Sequence, residues 1–557
     1  MATAGNWNGS ILTDDEKEEL SGYEFPFENV VFEAGGAKGI AYIGALRVLE
    51  EIGAMKKVRR FAGASAGSIT AGLLAIGYTA TELQGRLIDE DVPVHDGSWT
   101  KRLYYLFRKY GWYPGKDFNK WYSKLLEEKS GNADITFHQV YKKYEKELCI
   151  AVTNVNTMDV CYCHVKTTPD MPIREAVRMS MSIPGVFCAV KHQLYSSRSP
   201  DLFVDGAMLC SFPIHCYDGW YLSMKPEDSF LQRFASVSLK DVTSVWDRKR
   251  RFGEKNDKTL GFLLYSMHDP DVFQLDLQER QMQYCKEPPQ DIPDTCLARK
   301  FKDDRKQIEE ACHKHKELST AMQQFLKVLA QNDIDSNGMI SRDEFKKAMT
   351  EENSEFTQEH AKLIFGENYK VDEVFDSIDA DNNQQITFRE LIAFAEKQGL
   401  QLREMFSGHR RKKITDLKEH FSAIGRGLLL ATKFVFISDD DVHRTAGIDT
   451  VYLETTSFEM DKEDKLFLVQ QGKIGTVAYV RNYIVYKNLS KSGPSTEIKQ
   501  QENGDQNFNN SASPEPEAED EVTADDKEPE DTDLKEESSA AAMETDPLMS
   551  KDESEDK

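Results

Sequence analysis

The stretch FAGASAGSIT, residues 61–70, raises the first question about this chain. In it, Ser65 is flanked by two alanines and then by Gly63 and Gly67. A strand that turns sharply into a helix needs small residues at these positions, since larger side chains would clash where the two elements meet. The same pattern also occurs in turns that only pack closely, so the neighbouring sequence must decide whether Ser65 is a nucleophile.

A strand, a glycine loop and a helix are predicted before this turn. In NVVFEAGGAKGIAYIGALRVLEEIG, residues 29–53, an apolar run precedes the turn 34–38, and apolar residues at helical spacing follow from Ile40. Two successive βα units predict a parallel sheet covered by helices. Paired glycines at a helix start direct backbone N–H groups at negative charge, as an oxyanion hole requires. The loop is no dinucleotide fingerprint, because Ala34 stands where GxGxxG needs glycine.

An acidic residue is the expected partner of the serine. An ordinary α/β-hydrolase places several strands before its nucleophile, whereas only one βα unit precedes Ser65, so a different base is expected. In DLFVDGAMLCSFPI, residues 201–214, Asp205 follows an apolar run and precedes Gly206, which allows close approach. The histidines nearest to these motifs are interpreted as structural: His138, His164 and His192.

The ordered set AGGAKG, GASAG, SIPGVF and DGA resembles the patatin-like phospholipase family, whose members use a Ser-Asp dyad without histidine. The resemblance implies that Ser65 is the nucleophile and Asp205 the general base. It also implies an oxyanion hole formed by three backbone amides, those of Gly35, Gly36 and Ala37. Lys38 matches a basic residue often found in that loop, and Ala34 replaces a glycine that is common in the family.

Two later segments have the spacing of twelve-residue EF-hand calcium loops: DIDSNGMISRDE, residues 333–344, and DADNNQQITFRE, residues 379–390. The predicted ligands of the first loop are Asp333, Asp335, Asn337, the Met339 carbonyl, Ser341 and Glu344. Those of the second are Asp379, Asp381, Asn383, the Gln385 carbonyl, Thr387 and Glu390. Gln384 stands where glycine normally takes a positive φ, at a cost of about 1–2 kcal/mol, so weaker binding is expected there. Calcium is expected to regulate, not to take part in acyl transfer.

Five regions are predicted: an N-terminal arm 1–24, a patatin-like α/β domain 25–295, an inserted all-α EF-hand pair 300–405, a closing segment 415–488 and an acidic tail 491–557. The insertion is predicted because residues 442–480 contain a strand with Ile448 and Val451, followed by an apolar-periodic helix. Such a helix needs a core to cover it. The alternative is an independent terminal hairpin packed on the EF-hands.

Charge and composition set the tail apart. Residues 491–557 carry 22 acidic and 6 basic residues, which accounts for 16 of the 25 net negative charges. With almost no aromatic residues, this region is predicted to be disordered, either as an acidic docking tail or as a solubilising extension. Nine cysteines without a CxxC pair fit a reducing compartment. No secretory signal is predicted, and the apolar run from Gly427 is too short for a membrane span and contains Lys433.

A cytoplasmic protein that contacts membranes peripherally is therefore predicted. SWTKRLYYLFRKYGWYP, residues 98–114, mixes aromatic and basic residues as an anionic membrane interface requires, although a helix packed on the core is an equal alternative. The expected function is a lipid acyl hydrolase of the phospholipase A or lysophospholipase type. A transacylase or triacylglycerol lipase would use the same site; a catalytically silent calcium-responsive adaptor is opposed by the intact Ser65 and Asp205. Phospholipid surfaces and calcium are the expected partners, without nucleic acid.

Overall fold

The protein is represented by a computed structural model. It describes residues 9–98, 101–194, 199–235, 237–238, 240–266, 273–286, 290–333, 337–350, 356–366, 368–397, 414 and 417–491. The predicted acidic tail lies outside the described residues from residue 492 onwards, as does the predicted calcium ligand Asp335.

Helices and strands alternate through the first part of the chain. The helices are α1 (Asp14–Leu20), α2 (Ala41–Glu51), α3 (Ala66–Ala75), α4 (Ala80–Asp89), α5 (Arg102–Lys109), α6 (Lys116–Ser130), α7 (Phe137–Tyr144), α8 (Ile173–Ser180), α9 (Ala207–Cys210), α10 (Phe230–Ala235), α11 (Val242–Val245), α12 (Arg248–Arg251), α13 (Gln274–Tyr284), α14 (Cys296–Asn332), α15 (Arg342–Thr350), α16 (Gln358–Phe365), α17 (Val371–Ile378), α18 (Phe388–Lys397), α19 (Leu417–Phe436) and α20 (Lys462–Tyr486). The strands are β1 (Asn29–Phe32), β2 (Arg60–Ala64), β3 (Gly111–Tyr113), β4 (Glu147–Asn154), β5 (Asp159–Cys163), β6 (Gly185–Phe187), β7 (Val190–His192), β8 (Asp201–Asp205), β9 (Thr259–Tyr265), β10 (Ile340–Ser341), β11 (Gln385–Ile386) and β12 (Thr445–Asp449). Short 3-10 helices cover Gly36–Ile40, Pro226–Asp228 and Asp439–Arg444.

The predicted α/β fold is confirmed as a mixed sheet covered by helices. The strand order is β12-β9-β1-β2-β4-β8-β7, with β5 also paired to β4. The strands from β12 to β4 run parallel, whereas β5, β7 and β8 pair antiparallel with their neighbours. Val30 and Phe32 of β1 belong to one hydrophobic core and Val31 to another. Both faces of the sheet are therefore covered, as expected for parallel strands with uninterrupted apolar runs.

The predicted closing segment supplies an edge strand and a long helix. β12 pairs in parallel with β9, and α20 packs against α2. The two helices approach so closely that a Cβ on Gly44 would lie 1.7 Å from the Val469 carbonyl oxygen, and one on Gly472 would lie 1.9 Å from that of Ala41. The predicted strand position of Val451 is wrong: this residue lies beyond β12 with φ +56°, in a turn that leaves the sheet.

The N-terminal segment packs on the same helix. Leu12 and Leu20, which flank and end α1, are buried in the core that contains Val30. Glu16 forms an ion pair with Lys473 of α20, with 2.9 Å between Oε2 and Nζ, and both side chains are buried. α20 therefore contacts both α1 and α2.

The chain between β9 and β12 contains two helix–loop–helix units. The first joins α14 to α15 and the second joins α17 to α18, and their loops are linked by antiparallel β10 and β11, with Ile340 opposite Ile386. These units have their own hydrophobic core, which includes Phe325, Phe345 and Phe375. Among the helices of the described ranges, none combines the length and the apolar composition that a membrane crossing requires.

The contact between α2 and α20 can be tested with one methyl group. Gly472→Ala places a Cβ against the Ala41 carbonyl, so we expect a loss of about 1–3 kcal/mol in the free energy of unfolding, measured by urea denaturation. Gly85 of α4 is a matched control, because a Cβ there would meet nothing within 4 Å. Gly85→Ala is expected to stabilise the protein by about 0.5–1 kcal/mol. Equal effects of the two substitutions would contradict the packing of the closing helix on α2.

Candidate active site

Ser65 lies on a strained turn between β2 and α3. Its φ of 49° and ψ of −126° are uncommon for a residue with a side chain and cost of the order of 1–3 kcal/mol. A hydrogen-bond relay holds the turn: the Ser65 N–H donates to Ser180 Oγ at 2.8 Å, and the Ser180 hydroxyl donates to the Ala151 carbonyl at 2.7 Å. Ser180 was not recognised from the sequence, although it lies in the segment that precedes SIPGVF.

The two glycines around Ser65 are required by close contacts of the main chain. A Cβ on Gly63 would lie 2.3 Å from the carbonyl carbon and oxygen of Gly67. One on Gly67 would lie 2.5 Å from the Phe32 carbonyl oxygen of β1. The two glycines are thus required because helix α3 starts directly against β1 and β2. Both interpretations of residues 61–70 need this contact, so the group that the Ser65 hydroxyl faces must distinguish them.

Asp205 ends β8 and faces Ser65. The Ser65 hydroxyl donates to Asp205 Oδ2 at 2.7 Å, and the Ala207 N–H donates to Oδ1 at 2.8 Å. The serine and aspartate are 3% and 2% exposed. A Cβ on Gly206 would lie 2.1 Å from the Ala151 carbonyl oxygen, so the residue after Asp205 has no room for a side chain. The strand end and its glycine thus fix the carboxylate.

Burial tunes this carboxylate for proton transfer. Desolvation raises the pKa of Asp205 to about 7, although its hydrogen bonds from Ser65 and Ala207 lower it. A group that titrates near neutral pH can accept a proton and return it at similar cost. The carboxylate form predominates above pH 7 and the neutral acid below it.

The three histidines singled out from the sequence do not join this pair. His164 is buried, with Nε2 3.2 Å from Glu147 Oε2, and His192 Nδ1 lies 3.3 Å from Glu175 Oε2. His138 is exposed. Within the described ranges, no histidine side chain forms a hydrogen bond with Ser65 or Asp205. The acid is thus the group in direct reach of the serine proton.

The predicted oxyanion loop lies beside the start of α3. A Cβ on Gly39 would lie 3.0 Å from the Ala66 Cβ, next to Ser65. Gly36 has φ +52°, and the Ala37 N–H donates to the Thr455 carbonyl at 3.0 Å. One of the three predicted donors therefore already binds a carbonyl oxygen, which comes from the segment that follows β12.

A buried ion pair supports the base of this loop. Glu33 directly follows β1 and pairs with Lys433 of α19, and both side chains are buried. Glu33 Oε2 also accepts the Leu264 N–H at 2.7 Å. In the sequence, Lys433 counted only against a membrane span. A lysine within an apolar run was nevertheless a signal, because a buried ammonium group needs an acidic partner.

The aromatic and basic segment after residue 98 forms the exposed helix α5. Leu103, Tyr104 and Phe107 are 61%, 58% and 75% exposed, and Tyr110 after the helix is 55% exposed. The alternative of a helix packed on the core is therefore wrong for these side chains. Trp99 lies outside the described residues.

The predicted calcium ligands lie in the two loops joined by β10 and β11. In the second loop, carboxylate oxygens of Asp379, Asp381 and Glu390 lie within 4.8 Å of one another. The backbone N–H of Asn383 donates to Asp379 Oδ1 at 3.1 Å, and the Thr387 hydroxyl donates to Glu390 Oε2 at 2.8 Å. Gln385 lies in β11. These oxygen donors are the type that calcium prefers.

The first loop has the matching arrangement where it is described. The Asn337 and Gly338 N–H groups donate to the two oxygens of Asp333, and Ser341 donates to Glu344 Oε2 at 2.7 Å. Met339 precedes β10.

The sixth positions of the two loops differ. Gly338 has φ +75°, and Gln384 has φ +64°. Gln384 therefore adopts the conformation that the loop requires despite its side chain. Its Oε1 accepts a hydrogen bond from Arg342 Nε of the first unit at 2.9 Å, which holds the side chain in place.

The comparisons with known proteins concern the first of these sites. Residues 30–216 match the family model of the patatin-like phospholipases. The chain is 30% identical over 198 residues to R571, an uncharacterized protein of Acanthamoeba polyphaga mimivirus, a match that covers 35% of this chain and 63% of that protein. It is 27% identical over 193 residues to Probable lipid hydrolase 463L of Invertebrate iridescent virus 6, covering 34% and 62%. The structure of VipD from Legionella pneumophila overlays with a TM-score of 0.35 and 13% identity, over 83% of this chain and 68% of that chain.

The family resemblance predicted from the sequence is thus supported over residues 30–216, which are similar to a patatin-like phospholipase domain. The chain spans slightly less than two thirds of the length of the curated relatives it matches.

The environment of Asp205 predicts its titration. Carbon-13 NMR or infrared spectroscopy of the folded protein should show one aspartate carboxyl that ionises near pH 7, assigned by its loss in Asp205→Asn. Ser65→Ala removes a hydrogen bond that favours the carboxylate, so it should raise the pKa of Asp205 further. Titration of this group near the usual aspartate value of about 3.9 would contradict the burial described here.

Proposed function

We propose that the protein is a serine acyl hydrolase that cleaves carboxylic esters of lipids by means of Ser65 and Asp205. The observation that carries the proposal is the buried 2.7 Å hydrogen bond from the Ser65 hydroxyl to a carboxylate whose pKa is raised to about 7. The family match over residues 30–216 supports lipid esters as the substrate class.

The proposed reaction proceeds in two steps. In the first, Ser65 Oγ attacks the ester carbonyl while Asp205 takes the hydroxyl proton, and the resulting tetrahedral oxyanion is stabilised by amides of the loop at Gly35, Gly36 and Ala37. As the intermediate collapses, the alcohol leaves with the proton from Asp205. In the second step Asp205 takes a proton from water, which attacks the acyl-enzyme, and returns it to Ser65 Oγ as the fatty acid leaves.

Substrate entry in this proposal requires a local movement. The Ala37 N–H donates to the Thr455 carbonyl, and the dyad is almost fully buried. The segment around Thr455 must therefore release Ala37 before this amide can stabilise an oxyanion. The Thr455 carbonyl oxygen lies where the Ala37 N–H donates to a partially negative oxygen, as it would to an oxyanion.

The exposed face of α5 fits a lipid surface. Its apolar side chains Leu103 and Phe107 are accompanied by Arg108 and Lys109 at the end of the same helix. An interfacial helix combines buried apolar groups with basic groups at anionic headgroups in this way. We infer that α5 contacts the membrane peripherally.

Calcium would bind to the paired loops and not to the dyad. Their oxygen donors suit the ion, and the Ser-Asp chemistry needs no metal. Calcium-dependent reorientation of helices is a recognised means of regulation. Here the helices belong to a unit that lies, in sequence, between strands β9 and β12 of the sheet.

Activity of the dyad variants tests the proposal. Ser65→Ala and Asp205→Asn should each lower fatty-acid release from phospholipid vesicles by about 10³-fold or more, because one removes the nucleophile and the other the proton acceptor. Asp201→Asn is the matched control at the other end of β8, where the carboxylate accepts a hydrogen bond from Asn154 at 2.9 Å. That variant should remain within a few-fold of the unaltered protein. Full hydrolysis by Ser65→Ala would refute the assignment.

Calorimetry with the full chain tests the calcium loops. Glu344→Gln removes the bidentate ligand of the first loop and should abolish the tighter of two binding events, because Gln384 strains the second loop. Glu390→Gln should abolish only the weaker event. Glu373→Gln, an exposed change on α17, is the control and should preserve both. If Glu390→Gln removed the tighter event, the ranking of the loops would be wrong.

A further inference from the structure

A second pocket lies away from the dyad. It has a volume of about 350 Å³, within the range of small-molecule sites, and lies between the region around α12 and the residues that follow α19. Neither the dyad nor the glycine loop contributes to its lining. It is therefore distinct from the candidate active site.

Cations exceed anions around this pocket. Four basic side chains and two acidic ones line it. One buried guanidinium contacts both acids: Arg444 donates to the two oxygens of Asp218 at 2.7 and 2.6 Å and to Asp441 at 2.8 Å. Of the remaining cations, Lys255 lies 3.9 Å from Asp441 of this triad, whereas Arg248 and Lys249 form no ion pair with it.

Two of those cations have no carboxylate partner within the described part of the chain. Arg248 places its guanidinium 4.5 Å from the centre of the Phe436 ring, a contact that orients the group without neutralising it. The adjacent Lys249 is exposed. Lys255 binds Ser438 Oγ at 2.7 Å and the exposed Asp440 at 3.1 Å. The wall is thus basic and only partly compensated.

A buried histidine supplies an independent indication of a ligand. His215 lines the pocket and is 5% exposed, yet its Nδ1 has no hydrogen-bond partner. Its Nε2 lies 2.7 Å from the Tyr162 hydroxyl. Because an imidazole nitrogen is a stronger acceptor than a phenol oxygen, we assign Tyr162 as the donor to Nε2, which places the ring proton on Nδ1. Burial lowers the pKa of His215 well below its usual range, so the ring is neutral at neutral pH.

A buried N–H without an acceptor is destabilising, because it has lost its hydrogen bond to water and gained none in the protein. Among the described groups none accepts a hydrogen bond from Nδ1, and an anion that reached it from the pocket that His215 lines would do so. The stacked ring of Phe436, 4.6 Å from that of His215, fixes the imidazole in place.

From these contacts we propose that the pocket binds a phosphate-bearing anion, with His215 Nδ1–H as the fixed donor and Arg248, Lys249 and Lys255 as the charge partners. Phosphate fits this wall better than a carboxylate because it offers more acceptor oxygens and a higher charge to cations that converge from separate residues. The phosphate can belong to a lipid headgroup or to a soluble compound, since both present the same group.

Calorimetric titration of the full chain with pyrophosphate tests this site. We expect saturable one-to-one binding that Arg248→Gln and Lys249→Gln each weaken by about tenfold. Arg250→Gln is the matched control: it lies on the same helix, binds Ser244 at 2.9 Å and does not line the pocket. The affinity of Arg250→Gln for pyrophosphate should stay within twofold of that of the unaltered protein. Equal weakening by Arg248→Gln and Arg250→Gln, or no saturable binding, would overturn the proposal.

Histidine NMR provides a second readout at the proposed donor. With nitrogen-15 histidine, one Nδ1–H signal should shift on saturation with pyrophosphate and stay unshifted in Arg248→Gln. Competition by vesicles that contain phosphatidic acid, absent with phosphatidylcholine alone, would assign the phosphate to a lipid; no competition would assign it to a soluble compound. Tight binding that moves no histidine signal would exclude the site.

Discussion

The candidate active site depends on the close approach of main-chain atoms around Ser65. Helix α3 begins so near to β1 and β2 that neither Gly63 nor Gly67 could carry a Cβ without meeting a carbonyl at 2.3 to 2.5 Å. At this approach Ser65 has a φ of 49°, and the hydrogen bond from its N–H to Ser180 holds the turn. The strain is thus offset by the surrounding fold, and its product is a hydroxyl that faces Asp205.

Charge pairing distinguishes the candidate base from other buried acids. Glu33, Asp218 and Glu16 each contact a basic side chain, which stabilises their ionised form. Asp205 is as deeply buried but, among its described contacts, has only hydrogen bonds from Ser65 and Ala207. Its pKa is therefore raised to about 7. The same fold thus pairs these three acids with cations and leaves the Asp205 carboxylate without a basic partner among its described contacts.

The sequence predicted those features that arise from local patterns. Small residues at fixed spacing located the turn at Ser65, and an acid followed by glycine located Asp205, because steric limits act on neighbours in the chain. The relay through Ser180, the Glu33–Lys433 pair and the Thr455 carbonyl joined to Ala37 were not predicted, since each links residues far apart in sequence. The phosphate pocket was missed for the same reason: His215 and Phe436 meet only in three dimensions.

Covalent trapping of the serine is the most direct test of the central claim. The full chain would be treated with an alkyl fluorophosphonate in the presence of phospholipid vesicles, and the adduct located by mass spectrometry of its peptides. The account predicts one adduct, on Ser65, and a loss of most labelling in Asp205→Asn, because the serine then lacks its proton acceptor. An adduct on another residue, or labelling of Ser65 at an unchanged rate without the Asp205 carboxylate, would contradict a Ser-Asp dyad.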